Sequence, residues 1–585
     1  MIFKSSSITR PFKKGAGGWD DIQGPFLLFR SSAILLMPSS LKPPYIHGPF
    51  SRFKALLHRE SAFFCAVIFG AALRMYQLPN QILFGDEWHA IHTAANAGYF
   101  KIISTFGGAD HSIPITLYYK VLMDTIGLSE MGIRIPFLVG GTLTVLILPI
   151  LVRPMVGRTG ANIFAWLLAL SPTLIFFSRF ARPYALTTCF SFFSCIFFFR
   201  WWENNKKRDA ILYAISAIAT GYALLVDLPF VLGPFLFFFI LSIVGKDKNR
   251  AHYFLRLAGL GTITMVPLLI LLAPPIYGDF SAISTKAGQA TFGFPELAAA
   301  FRILTGMDQR SIVILIGLLA LMGLNRMFVG TPIFTIYLMG MSLLQMSALF
   351  LVQPVGVGSP HILARYLLPT LPCLLLLVST GTHAVSLSLF PERRKWARAA
   401  IPIAVCSAFF WGGPILAVSY QPNNGTSLML LVHALSGKDY RGILKRIPGF
   451  YRHLSNEPRG SMVIVETPFS WQANHLLLYQ EVHRQRVIMG VTEDHLSASD
   501  QGFRLKTVGS VEDLQALRAM DVDFLVFHKN LQDEVNIVLP DDPSKYQSAK
   551  RFQTLLGNPI YEDRDILVFA VSKSAAAKDW EKTTE

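Results

Sequence analysis

Apolar residues run along this chain in long unbroken stretches, not in the alternation of a half-buried strand or the one-sided stripe of a surface helix. A helix that crosses a hydrocarbon core needs roughly 20 such residues. Eleven spans are predicted on that basis: Ser61–Leu78, Ile135–Val152, Gly160–Ser178, Tyr184–Trp201, Ala210–Val226, Pro229–Val244, Phe254–Ala273, Ser311–Leu324, Thr331–Val352, Tyr366–Gly381 and Ala399–Val418. A further apolar stretch, Ile113–Leu128, contains Lys120 and Asp124. Counting it as a span would put Arg153 and Arg158 outside, against the preference of basic residues for the cytoplasmic side. It is therefore predicted to lie along the outer surface or to re-enter it.

With that parity the basic clusters fall inside: Arg200 with Lys206, Lys207 and Arg208, then Lys246 to Arg256, Arg326, and Arg393 to Arg398. From Ser419 the pattern changes. Short runs at Met462–Glu466, Val487–Met489, Phe524–His528 and Ile566–Val571 read as buried strands, alternating with helical stretches at Gln472–Val482, Val511–Met520 and Ser544–Leu556. The fold class expected is a polytopic α-helical membrane protein of about 11 spans with a C-terminal soluble α/β domain. Residues 1–55 read as a disordered leader or an over-called start, 56–418 as the membrane domain and 419–585 as an extracytoplasmic domain.

Composition narrows the class. At 52% hydrophobic, 15% charged and a mean hydropathy of +0.43, the chain is not an ordinary soluble protein. A net charge of +16 would suggest nucleic acid in a soluble protein. Here the Lys and Arg sit mostly in the inward turns, so topology explains the charge and no nucleic acid partner is expected. The five cysteines lie in apolar segments, without the spacing of a zinc site or the placement of a disulfide framework.

Parity leaves a set of charges on the outward side that the basic-loop rule does not account for: Asp86 and Glu87, Asp110 and His111, Arg179 and Arg182, Asp227, His361 and Arg365. Charges at the edge of a bilayer are costly unless they pair or face water, which marks this set as a functional candidate.

Several of these residues sit in motifs: Asp86-Glu87 after the first span; Asp110-His111-Ser112-Ile113-Pro114 with Leu117-Tyr118-Tyr119; and Gly127-Leu128-Ser129-Glu130 before Arg134-Ile135-Pro136. Leu170-Ser171-Pro172, Ser178-Arg179-Phe180-Ala181-Arg182-Pro183-Tyr184 and Ala364-Arg365-Tyr366-Leu367-Leu368-Pro369 follow. In this order and spacing they resemble the GT-C glycosyltransferases, the family 39-like group of protein O-mannosyltransferases and aminoarabinose transferases, over roughly residues 61–380. The resemblance implies inverting transfer of a sugar from a polyprenyl-phosphate donor to a lipid, glycan or protein acceptor on the extracytoplasmic face. The expected home is the bacterial inner (plasma) membrane.

An inverting transfer needs a carboxylate to take the acceptor proton and cations to hold the departing phosphate. Asp86 is the candidate base, with Glu87 orienting it, binding the acceptor or shifting its pKa. Arg365 and Tyr366, with His361, Arg179, Arg182, Asp110 and His111, are the donor and phosphate candidates, since guanidinium forks match phosphate geometry. Trp88 is the candidate for stacking on a sugar, and Arg134 is read as fixing the entry of its span. No cofactor is required by the pattern; a divalent ion, if used, would fall to Asp86, Glu87 and Asp110. A lipid-linked-sugar transporter and a non-catalytic scaffold are the alternatives. The acids lie in a loop and no internal repeat is visible, which favours the enzyme over the transporter.

Overall fold

The computed structural model describes residues 60–76, 78, 87–106, 112–128, 130–244, 250–288, 290–307, 309–390, 395–412, 447–458, 460–467, 479, 482–488, 511–529 and 549–572. The described residues of 61–412 are mainly helical: α1 Ser61–Met75, α2 Glu87–Asn96, α3 Tyr99–Ser104, α4 Ile113–Thr125, α5 Glu130–Leu170, α6 Pro172–Arg179, α7 Tyr184–Asn204 and α8 Lys207–Ala223. After a 3-10 turn at Leu225–Asp227 come α9 Pro229–Val244, α10 Arg250–Ser284, α11 Phe294–Thr305, α12 Arg310–Gly330, α13 Pro332–Val352, α14 Pro360–Tyr366, α15 Leu371–Leu389 and α16 Lys395–Gly412. Among the described residues, seven helices are long and apolar enough to cross a membrane, and α1 and Ala397–Trp411 are shorter apolar helices. The protein is an integral membrane protein, and each predicted span has a helix over it.

Two predicted spans are joined. Ile135–Val152 and the first half of Gly160–Ser178 lie in one element, α5, which breaks its helical backbone at Gly157 (φ 73°, ψ 174°). A side chain there would be strained, so glycine makes the bend. The second half of the predicted span is a separate helix. Ser171 caps it by accepting the Leu174 N–H, and Pro172 takes the first-turn position where its missing N–H costs nothing. The 13-residue α4 is about 20 Å long, too short to cross a core of about 30 Å.

The bundle core is aromatic. Phe198 packs against Tyr213, Phe235 and Phe238, and Phe199 against Phe334 and Tyr337, with centroids 4.9 to 5.8 Å apart. Most of the Phe-rich stretch of α7 is therefore an interhelical surface. Gly323 of α12 and Gly381 of α15 let those backbones touch, since a Cβ at either would strike the facing helix.

The C-terminal part is a five-stranded sheet of β1 Val463–Thr467, β2 Arg486–Ile488, β3 Phe524–His528, β4 Tyr561–Glu562 and β5 Ile566–Ala570, in the order β2-β1-β3-β5-β4. The β1 pairings with β2 and β3 are parallel; β5 runs antiparallel to β3 and β4. The helices α17 Gly449–Leu454, α18 Val511–Ala519 and α19 Ala549–Leu556 accompany it. Four of the strands follow the predicted runs; β4, two residues long, carries no periodicity to read. Most of the helix predicted at 472–482 lies outside the described residues.

Candidate active site

Glu87 opens α2, where a carboxylate favours the positive end of the helix. It is fully buried, and it is spoken for. The Ala181 N–H donates to its Oε1 at 2.7 Å, and Arg134 Nη2 donates to Oε2 at 3.3 Å and Oε1 at 3.5 Å. A buried ion pair holds its ground only when further hydrogen bonds satisfy the oxygens, and the Ala181 amide supplies one.

Ala181 is gripped from its other side as well, because the Tyr119 hydroxyl donates to its carbonyl at 3.0 Å. Burial raises the Tyr119 phenol well above its ordinary range, and Glu87 acts in the same direction, so Tyr119 remains a neutral donor. Tyr118, next to it, donates to the Gly132 carbonyl at 2.7 Å. Thus α4 is pinned to the start of α5 and to the link between α6 and α7. That link, tightened by the Arg182 N–H on the Phe180 carbonyl at 2.7 Å, carries Arg179 and Arg182, both buried.

A second cation supports the link from behind. Arg74, buried near the end of α1, donates to the Gly70 carbonyl, to the Leu168 carbonyl at 3.1 Å and to Ser178 Oγ at 3.1 Å. It caps the negative end of α5 and steadies the residue before Arg179. Close packing at Gly141, where a Cβ would strike Ser178, keeps α5 against this corner.

Arg365 comes to the same stretch through Tyr184. Its guanidinium carbon lies 5.6 Å from the Tyr184 ring centroid and 5.6 Å from that of Tyr366, within cation–π range of both. His361, on the same short helix, has Nδ1 2.9 Å from Ser359 Oγ.

The structure therefore links Glu87 to the turn of Arg179 and Arg182 through the Ala181 amide, and brings Arg365 and Tyr366 to the same stretch by way of Tyr184. Arg134, read from the sequence as a span anchor, is the partner of Glu87. Asp86, Asp110 and His111 lie outside the described residues, as does the side chain of Trp88, whose backbone belongs to α2. Of the three candidate metal ligands, Glu87 has both oxygens engaged by Arg134 and the Ala181 amide, and Asp86 and Asp110 lie outside the described residues. Among the described residues no group of three His, Cys, Asp or Glu could hold a metal ion.

Beside α14 lies a cavity of about 590 Å³ lined mainly by apolar atoms, including Phe294, Leu297, Phe301 and Met346, with Arg302 and Arg310 in its wall. Leu367 and Thr370, just after the Arg365-Tyr366 pair, close it on one side. Neither Arg74 nor this cavity is among the features the sequence points to.

Residues 110–277 match the family model described as dolichyl-phosphate-mannose-protein mannosyltransferase. The resemblance to the GT-C superfamily stands on that match. Among curated proteins, none matches this sequence. Among solved structures, ArnT from Cupriavidus metallidurans in the apo state is 14% identical, covers 90% of this chain and 100% of its own, and has a TM-score of 0.48. The same protein bound to undecaprenyl phosphate gives 13%, 89%, 99% and 0.46. The Archaeoglobus fulgidus oligosaccharyltransferase tethered with an acceptor peptide gives 10%, 81%, 69% and 0.41. At such scores these likenesses carry no weight by themselves.

Proposed function

We propose that this protein is an inverting glycosyltransferase that moves a sugar from a polyprenyl-phosphate donor to an acceptor at the extracytoplasmic face of a bacterial inner membrane. The observation that carries the reading is the Glu87–Arg134–Ala181 lock. It ties the residue next to Asp86 in the chain to the turn that presents Arg179 and Arg182. The lock supports reading Asp86 and the Arg179–Arg182 turn as parts of one site.

In this reading Asp86 takes the proton from the acceptor hydroxyl as its oxygen attacks the anomeric carbon. The glycosidic electron pair leaves with the lipid phosphate, whose growing charge Arg365, Arg179 and Arg182 stabilise. Glu87 orients and does not exchange protons, being engaged with Arg134 and the Ala181 amide. The apolar cavity beside α14 suits the isoprenoid chain, with Arg302 and Arg310 toward its phosphate. Trp88 offers a face for the sugar.

The test is transfer by purified protein in lipid, presented with a panel of polyprenyl-phosphate sugars and membrane extract as acceptor. Asp86→Asn is expected to lower turnover by at least about a thousandfold while folding normally. Turnover retained in well-folded Asp86→Asn protein would remove Asp86 as the base. Tight binding of one lipid with no product from any donor would favour a transporter.

A further inference from the structure

Gln345 is fully buried in the second half of α13, where it is the one amide side chain of a mainly apolar helix. Its Nε2 donates to the Tyr366 carbonyl at 2.9 Å, to the Val226 carbonyl at 3.2 Å and to Asp227 Oδ1 at 3.5 Å. Asp227 closes the 3-10 turn before α9 and is also fully buried, near Thr187, whose hydroxyl donates to the Tyr184 carbonyl at 3.3 Å. Thr187 lies in the first turn of α7, whose first residue, Tyr184, is the ring beside Arg365.

The two side chains thus reach both supports of Arg365. Gln345 holds the carbonyl of the next residue, Tyr366, and Asp227 receives the same amide and sits against Thr187 in the turn that presents Tyr184. Hydrogen bonds of this kind are worth little net, but a buried polar group deprived of its partner is costly, so each member is committed to the others. Neither side chain is placed to touch a substrate.

We infer that Gln345 and Asp227 are a positioning pair that sets the Arg365 guanidinium over Tyr184 and so governs the grip on the donor's phosphate. This rests on the reading of Arg365 as a phosphate ligand. The pair is rich in acceptors: Asp227 Oδ2 and Gln345 Oε1 have no hydrogen-bond partner among the described residues. Asp227→Asn, which exchanges one acceptor for an N–H donor, should therefore be tolerated, whereas Asp227→Leu should not.

The experiment is donor-dependent kinetics in lipid for Gln345→Leu, Asp227→Leu and Asp227→Asn, each alone and with Arg365→Ala. Gln345→Leu and Asp227→Leu should raise the donor KM about tenfold with kcat within about twofold, and Asp227→Asn should stay near wild type. In the Arg365→Ala background, adding Gln345→Leu should change KM by less than about twofold, because its route of action is gone. An equal effect of Gln345→Leu with and without Arg365, or an Asp227→Asn as damaging as Asp227→Leu, overturns the inference. Hydrogen exchange at residues 360–370 in protein without donor reads the pair independently of chemistry. Protection should drop in Gln345→Leu, and unchanged protection overturns the pair even where it folds well. If Arg365→Ala itself leaves the donor KM unchanged while Gln345→Leu loosens 360–370, the role given to Arg365 is what fails.

Discussion

Two buried glutamates meet a basic side chain in this molecule, and they are built differently. In the helical body, Glu87 pairs with Arg134 at 3.3 Å and takes the Ala181 amide, so its partners come from two other elements far apart in sequence. In the sheet domain, Glu466 at the end of β1 lies 2.6 Å from His528 at the end of β3, and the Tyr451 hydroxyl donates to both its oxygens at 2.9 Å. Tyr479 stacks on Tyr451 at 4.6 Å and His483 at 5.2 Å, closing the second cluster under aromatic rings. The first cluster hands its order on to Arg179 and Arg182; the second is enclosed by its own domain. Burial of a carboxylate alone does not mark a functional site, and what the partners are attached to decides between the two.

Removing one partner from each cluster should expose that difference most sharply. Arg134→Leu leaves Glu87 buried without its cation and should cost about 3–5 kcal/mol of stability. Arg134→Leu with Glu87→Leu should recover much of that loss in thermal melts while transfer stays near background, because the Ala181 link is no longer held. Glu466→Leu with His528→Leu should leave transfer per folded molecule within about twofold of wild type. A double Glu87/Arg134 variant that turns over normally would make the two clusters equivalent.

Acid should separate the clusters next. Burial lowers His483 from 6.5 to about 3, so it is neutral in the folded domain and charged in the unfolded chain between those values. Its contribution is fully present above pH 6.5 and is lost as the pH falls toward 3. From pH 7.5 to 5 the sheet domain should lose about 2 kcal/mol through this group alone. Melts of the full chain in lipid nanodiscs at the two pH values should show the loss, and His483→Phe should reduce it. The same loss in the variant would assign it to other groups.

Much of this was legible in the sequence, for identifiable reasons. Spans reveal themselves because lipid demands unbroken apolar runs, and β1, β3 and β5 because buried strands repeat Val, Ile, Leu and Phe. The motifs led to Glu87, Arg179, Arg182 and Arg365. They did not show that Glu87 belongs to Arg134, 47 residues away, since nothing local encodes a contact between a loop acid and a span entry. Arg74 was hidden for the opposite reason: its partners are backbone carbonyls and one serine hydroxyl, which every sequence offers. Gln345 did leave a trace, a lone amide in an apolar stretch of α13, which in a membrane marks a group that must find a partner.

The smallest expected effect compares two phenols. Tyr451→Phe removes hydrogen bonds to a carboxylate and should cost about 1.5–3 kcal/mol of sheet-domain stability, whereas Tyr119→Phe removes one bond to a carbonyl and should cost about 1 kcal/mol. Turnover should rank them the other way. Without the Tyr119 hydroxyl, the Ala181 peptide keeps its grip on Glu87 through the N–H but loses the restraint on its carbonyl, so the Arg179–Arg182 turn gains freedom. A loosened phosphate contact of this kind should lower kcat/KM about fivefold, a shift of about 1 kcal/mol. Tyr451→Phe should leave kcat/KM unchanged at temperatures where its domain is folded. Matched kinetics and melts on the two variants decide the point: a Tyr119→Phe protein with wild-type kcat/KM would show that Ala181 is held well enough by Glu87 alone, and that α4 serves only to close the bundle.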